Sequence, residues 1–88
     1  MSDRASIARH FNGTATVTPD PVDMGTGVVS VFIDNLDLTN DLLVSFDGGS
    51  NFKTVGEGRS LSIDISVSTV TVKSSAGSVN YEILATVL

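Results

Sequence analysis

The chain has 88 residues, a formal net charge of −5 and no cysteine, which limits it to one small domain without disulfides or thiolate metal sites. Its acidic balance argues against a nucleic acid or an anionic membrane as the partner. No apolar run approaches the ~20 residues of a membrane helix, and the opening MSDRASIARHF lacks the apolar core of a signal peptide, so we expect a soluble protein made in the cytosol.

Residues 1–12 differ from the rest of the chain in charge. They carry a net charge of +1, whereas residues 13–88 carry −6. Because they contain few large apolar groups, we predict an N-terminal arm over residues 1–12 and a single β-domain over residues 13–88. The residues leave two interpretations open, a mobile terminus or a docking arm, and we predict the docking arm because a solvated tail does not need large apolar groups such as Ile7 and Phe11. The candidate partner contacts of a docking arm are its basic and large apolar side chains, Arg4, Ile7, Arg9 and Phe11.

The body consists of short apolar segments separated by turn residues. Apolar residues at alternate positions indicate strands, and clusters of Gly, Pro, Asn and Asp indicate turns. The predicted strands are residues 13–20, 28–33, 42–46, 51–55, 60–67, 69–73 and 79–88. About seven short strands at this spacing predict an all-β fold, a small antiparallel β-sandwich or barrel.

Three of these strands also predict which faces are buried. Residues 28–33 are apolar on both faces, which is typical of a central, covered strand. Residues 60–67 alternate strictly, as a half-buried strand does, and their apolar face holds Leu61, Ile63, Ile65 and Val67. Residues 79–88 alternate in the same way, and their apolar face holds Val79, Tyr81, Ile83, Ala85 and Val87.

The stretch LLVSFDGGSNFKTV, residues 42–55, contains a Gly-rich turn. A phosphate-binding P-loop needs Gly-x-x-x-x-Gly-Lys-Ser/Thr leading into a helix. Here Gly48 and Gly49 lead into another predicted strand, and Lys53 lies within it. Residues 47–51 suit a hairpin loop, because glycine adopts positive φ and Asp or Asn accepts hydrogen bonds from the turn backbone. We therefore predict a hairpin and no nucleotide site.

Residues 34–41, DNLDLTND, form an acidic connection between two strands. Carboxylate and amide oxygens are ligands for calcium, but the stretch lacks the central glycine and the closing glutamate of an EF-hand loop. We predict a solvated turn with hydrogen bonds from its side chains to the backbone. A calcium loop of another kind stays open as the alternative.

The sequence shows no catalytic constellation. The only histidine, His10, lies in the predicted arm without an obvious partner for a triad. A working carboxylate pair needs a cleft, for which a sandwich of this size has little volume. We predict no catalytic residue, no cofactor, no metal site and no enzyme activity. Phe32 and Tyr81 are expected in the core or in a subunit contact rather than in a sugar-binding platform.

The last three-fifths or so of the chain, residues 34–88, combine the motifs VSFDGG…F.T, G.SLS.D and V.VKS..G…YEI. This segment resembles small virion proteins of tailed bacteriophages. The resemblance implies a β-domain that decorates or cements a capsid, with the major capsid protein or other virion proteins as partners. It also implies a location in the virion and a homo-oligomer, and it brings no catalytic residue.

Two other functions remain open at this point. One is a neck or tail component, such as a connector, a tail accessory or a fibre-base module. The other is a carbohydrate- or receptor-binding β-module.

Overall fold

A computed structural model of the chain describes residues 7–88, which form eight β-strands and no helix. In chain order these are β1 (Ile7–Ala15), β2 (Asp20–Asp23), β3 (Val28–Asn35), β4 (Leu42–Ser45), β5 (Lys53–Val55), β6 (Ser60–Ile63), β7 (Thr69–Ser74) and β8 (Val79–Val87). The all-β prediction is confirmed. In the part of the chain that is described, no helix is long and apolar enough to cross a membrane.

The strands form two four-stranded antiparallel sheets. Sheet A has the strand order β1-β8-β3-β6, and sheet B has the order β2-β7-β4-β5. Eight strands divided between two sheets in this order form a jelly roll. The predicted antiparallel sandwich is therefore confirmed, with eight strands where the sequence indicated about seven.

The additional strand is β2, which pairs with β7 at the edge of sheet B. Pro21 lies within this strand. Proline cannot donate a hydrogen bond to a neighbouring strand, but an edge strand needs its donors on one side only. The same proline reads as a breaker in the sequence, which explains why the strand was not predicted.

The first strand begins six residues earlier than the sequence indicated. β1 pairs with β8 at all nine of its positions, from Ile7 opposite Val87 to Ala15 opposite Val79. The predicted strand over residues 13–20 is wrong beyond Ala15, because the chain turns there before β2.

The predicted boundary between arm and β-domain, at residue 12, falls inside β1. Residues 7–12 lack the clear apolar alternation of a strand, but they continue β1 to nine residues, the length of its partner β8. Phe11 also packs against the core. Residues 7–12 therefore belong to the sandwich because of their tertiary contacts. The rest of the predicted arm, residues 1–6, lies outside the described residues.

The core fills the space between the two sheets and consists mainly of branched aliphatic side chains. Its completely covered members are Ile33, Leu42, Val44, Val70, Val72, Val79 and Ala85. The apolar face predicted for residues 79–88 is buried at every position, which confirms the orientation of β8.

Tyr81 belongs to this buried face and lies opposite Gly13 of β1. A β-carbon at residue 13 would lie 2.9 Å from the Tyr81 hydroxyl oxygen, so glycine leaves the space that the ring occupies. Burial, with a smaller contribution from the Asp20 carboxylate, raises the pKa of Tyr81 above its usual value. Tyr81 is therefore a core residue, one of the two positions predicted for it.

Two further predictions about faces are correct only in part. The strand predicted over residues 60–67 ends at Ile63, and residues 64–67 form a connection. The apolar side chains of the whole stretch pack against the core but stay half-buried, those of Leu61 and Ile63 because β6 is an edge strand. β3 is central in sheet A, as predicted, yet its outer face is not covered, and Phe32 is 38% exposed there.

Candidate interaction surfaces

The Gly-rich stretch forms the β4–β5 hairpin loop, which confirms that prediction. Gly48 and Gly49 have φ angles of 79° and 94°, a region that residues with a β-carbon rarely adopt. The Asp47 carboxylate organises the loop by accepting hydrogen bonds from the Ser45 hydroxyl (2.6 Å), the Ser50 N–H (3.1 Å), the Asn51 N–H (2.9 Å) and the Asn51 side-chain amide (2.8 Å). All of these hydrogen-bond partners lie within the turn or next to it, so the carboxylate stabilises the turn.

The same hydrogen bonds, that of the Ser45 hydroxyl first, hold the pKa of Asp47 well below its ordinary value of 3.8. A carboxyl group with a lowered pKa stabilises the fold above its ordinary pKa, and that contribution is lost as the pH falls below it. We expect wild type to be more stable than Asp47→Asn at neutral pH, with the difference shrinking below about pH 4. Urea denaturation of both proteins across this pH range measures the effect. A difference that does not change with pH would contradict it.

Asn35, at the end of β3, holds the acidic connection to the core and is 2% exposed. Its side-chain NH₂ group donates to the backbone carbonyls of Asn40 (3.0 Å), Val55 (3.0 Å) and Gly56 (3.1 Å). Its side-chain oxygen accepts from the Asp37 N–H at 2.9 Å. One amide side chain thus joins β3, the connection and the end of β5.

The carboxylates of the connection follow the predicted pattern of a hydrogen-bonded turn. Asp37 accepts from the backbone N–H groups of Thr39 (3.1 Å) and Asn40 (2.6 Å). Within residues 7–88, no group of three or more His, Asp and Glu side chains is placed to hold a metal ion. The geometry thus offers the calcium hypothesis no ligand cluster in that range.

The predicted arm contacts lie in different environments. Ile7 is 58% exposed at the start of β1. The Arg9 guanidinium is engaged within the chain, since its Nη1 donates to the carbonyls of Met24 (2.9 Å) and Thr26 (3.1 Å). Phe11 packs against the core, and Arg4 lies outside the described residues. Of the three that are described, Ile7 is the most exposed.

Within residues 7–88, each sheet of the sandwich ends in two edge strands, whose outer backbone groups pair with no other strand. Three of the four edge strands are short: β2 has four residues and contains proline, β5 has three residues and begins with lysine, and β6 has four residues. Short length, proline and lysine are known protections of a sheet edge. β1 is different, because it presents nine residues without a proline.

The outer face of sheet A carries an apolar row between polar ones. His10, Leu84 and Phe32 lie opposite one another across β1, β8 and β3. The next row along the strands places Glu82 directly opposite Asp34. Together these side chains line a shallow depression of about 250 Å³, which we call the outer-face patch (His10, Phe32, Asp34, Glu82 and Leu84).

These features define a small jelly-roll protein with candidate contact sites at its sheet edges and on one sheet face. No protein-family model and no curated protein matches the chain. A solved structure from work describing Bacillus endospore appendages as a novel family of disulfide-linked pili is similar in fold, with a TM-score of 0.54 and 18% sequence identity. The similarity covers 96% of this chain and 88% of that one. At this identity the similarity shows the fold alone, a small all-β domain.

Sequence reasoning missed both the β1 edge and the outer-face patch. The alternation in residues 79–88 does indicate that Glu82 and Leu84 share the outer face. Which residues of other strands lie beside them depends on the register of β1 and β3 against β8, for which the sequence carries no local signal.

Proposed function

We propose that this chain is a structural protein without enzyme activity that assembles with copies of itself through the open edge of β1. The observation that carries the proposal is the length of that edge, nine residues at the side of sheet A. Backbone groups of alternate residues point away from β8 along the strand. An added strand from another molecule satisfies these groups, and the side chains beside it provide specificity.

The size of the domain favours assembly as well. A chain of 88 residues buries a limited share of its surface and has modest stability on its own. Pairing at the edge covers exposed backbone and adds apolar contacts such as those of Ile7. The chain is similar in fold to a protein from work on endospore appendages, which are described as pili. This similarity supports a role in an extended assembly.

As the setting of this assembly we propose a tailed-phage virion, on the motifs in residues 34–88. In this setting the protein is made in the host cytoplasm, binds the major capsid protein, and decorates or cements the head. Many weak contacts on a symmetric shell add through avidity. A neck or tail position is the alternative, and the number of copies per particle separates the two: hundreds indicate decoration, and a dozen or fewer indicate the neck or tail.

The test of the edge is the substitution Ala8→Lys. Ala8 is exposed on β1, and lysine on an edge strand disfavours pairing with another strand. We expect wild type to form concentration-dependent oligomers in sedimentation velocity. The dissociation constant of the oligomer should be at least tenfold higher for the variant.

Thr86→Lys is the matched control, because Thr86 lies directly opposite Ala8 on the central strand β8. It places the same charge on the same face without altering the edge, and we expect it to keep the oligomers of wild type. Equal effects of both variants would contradict assembly through β1. So would a wild-type protein that stays monomeric at every concentration.

A further inference from the structure

The outer-face patch combines an apolar surface with an unusual arrangement of charge. Phe32 is 38% exposed and Leu84 is half-buried beside it. Outward positions of a sandwich are ordinarily polar, so an aromatic ring next to leucine is a surface that favours contact with another molecule. The β1 edge is formed by backbone groups at the side of the sheet, and the patch is therefore a separate surface.

The two carboxylates of the patch lie directly opposite each other on neighbouring strands, at a pairing of Asp34 with Glu82. Side chains in this relation are about 4.5–5.5 Å apart at their β-carbons, and like charges there are unfavourable. The other residues in the same row are Asn12 on β1 and Ser60 on β6. Neither carries a positive charge, so the row itself does not neutralise the pair.

Of the patch residues only His10 is basic, and it lies one row away, opposite Leu84. Arg9, its neighbour in sequence, donates to the Met24 and Thr26 carbonyls instead. Arg59 precedes Ser60 in the chain, and its side chain lies against Gly56. The patch therefore offers two negative charges and an aromatic face to whatever covers it. Its natural complement is a positive group that also has apolar surface.

We propose that the outer-face patch binds an arginine side chain of a partner protein. A guanidinium group presents a planar fork of donors that matches carboxylate oxygens, and it stacks on aromatic rings more readily than a lysine ammonium does. In this arrangement the fork lies between Asp34 and Glu82, while the plane of the group and its alkyl chain contact Phe32 and Leu84. The partner's charge also relieves the repulsion between the two carboxylates.

The test titrates ¹⁵N-labelled full-length protein with the blocked peptide acetyl-Ala-Arg-Leu-Ala-amide and records backbone amide shifts. The Ala8→Lys variant is used as the background, so that the outcome does not depend on self-assembly. We expect the shifts to concentrate on β3 and β8 around Phe32, Asp34, Glu82 and Leu84. The same peptide with citrulline, which has the shape of arginine without its charge, should bind at least tenfold more weakly.

Two sets of substitutions locate the binding. Asp34→Asn combined with Glu82→Gln should weaken binding of the arginine peptide at least tenfold, and Phe32→Ala should weaken this binding severalfold. Glu57→Gln combined with Asp20→Asn is the matched control, because it removes two exposed charges outside the patch, one in the loop after β5 and one on β2 of sheet B, and should leave binding unchanged.

Three results would overturn the proposal. One is equal binding of the arginine and citrulline peptides, and another is unchanged binding to the Asp34→Asn, Glu82→Gln variant. The third is an absence of shifts with the arginine peptide at millimolar concentration. If N-acetylglucosamine trimer shifts the patch resonances and the peptide does not, the patch is a carbohydrate site.

Discussion

Replacement of Ile33 by alanine is expected to destabilise the domain by about 2–5 kcal/mol, because it removes a large buried side chain and a close-packed core relaxes only partly around the cavity. Ile33 has no exposed surface. It lies at the centre of sheet A, opposite Ile83 on β8 and Leu61 on β6. Domains are generally stable by about 5–15 kcal/mol, so this single change removes a large fraction of the total. Urea denaturation followed by far-UV circular dichroism measures the loss.

Ile7→Ala is the matched control for this experiment. It makes the same chemical change at a residue that is 58% exposed, and we expect its effect to stay within about 0.5 kcal/mol. Similar losses for the two variants would mean that the inner face of sheet A is assigned wrongly.

Replacement of Asn35 by alanine is expected to cost about 2–4 kcal/mol, for a different physical reason. The substitution removes the side-chain donor from the buried Val55 carbonyl and from the Asn40 carbonyl, and the acceptor from the Asp37 N–H. The Gly56 carbonyl still accepts from the Arg59 N–H. Each buried polar group without a partner costs about 1–3 kcal/mol. The groups at the rim of the site regain some hydration, which keeps the total below the simple sum. Urea denaturation again gives the free energy of unfolding.

Asn35→Asp separates the lost hydrogen bonds from the lost volume. It keeps the shape of the side chain and the acceptor for the Asp37 N–H, but at neutral pH it has no hydrogen to donate. We expect it to be at least as unstable as Asn35→Ala. Asn12→Ala, at an exposed position of β1, should change stability by less than about 0.5 kcal/mol. A stable Asn35→Asp protein would show that the three carbonyl contacts contribute little.

The two residues with large expected losses of stability differ in whether the sequence predicts their burial. Ile33 stands in an apolar run that predicts burial by its composition. Asn35 stands in a polar segment that reads as solvated surface, although it is one of the most buried residues of the chain. Its burial depends on the Val55 and Gly56 carbonyls, 20 and 21 positions along the chain. Local pattern does not reveal a polar residue whose partners come from elsewhere in the fold.

The candidate surfaces also divide into one that local sequence predicts and one that it does not. The hairpin at residues 47–51 was predictable, because its glycines and its aspartate act on their immediate neighbours. The patch was not, since it requires residues of β1, β3 and β8 to align in rows. Phe32 was placed by its apolar character in a core or a contact, and only the sheet order puts it on the outer face.

By itself the sequence determined the all-β class, most of the strands and the buried face of β8. These properties depend on side-chain alternation and turn residues, which act over a few positions. The tertiary structure decided that residues 7–12 form a strand, that Pro21 lies within one, and that β1 is a long open edge. Each of these depends on pairing with a strand far away in the chain, β8 or β7. Such pairing is selected by burial of the apolar faces of both partner strands against the same core, and no short segment contains that information.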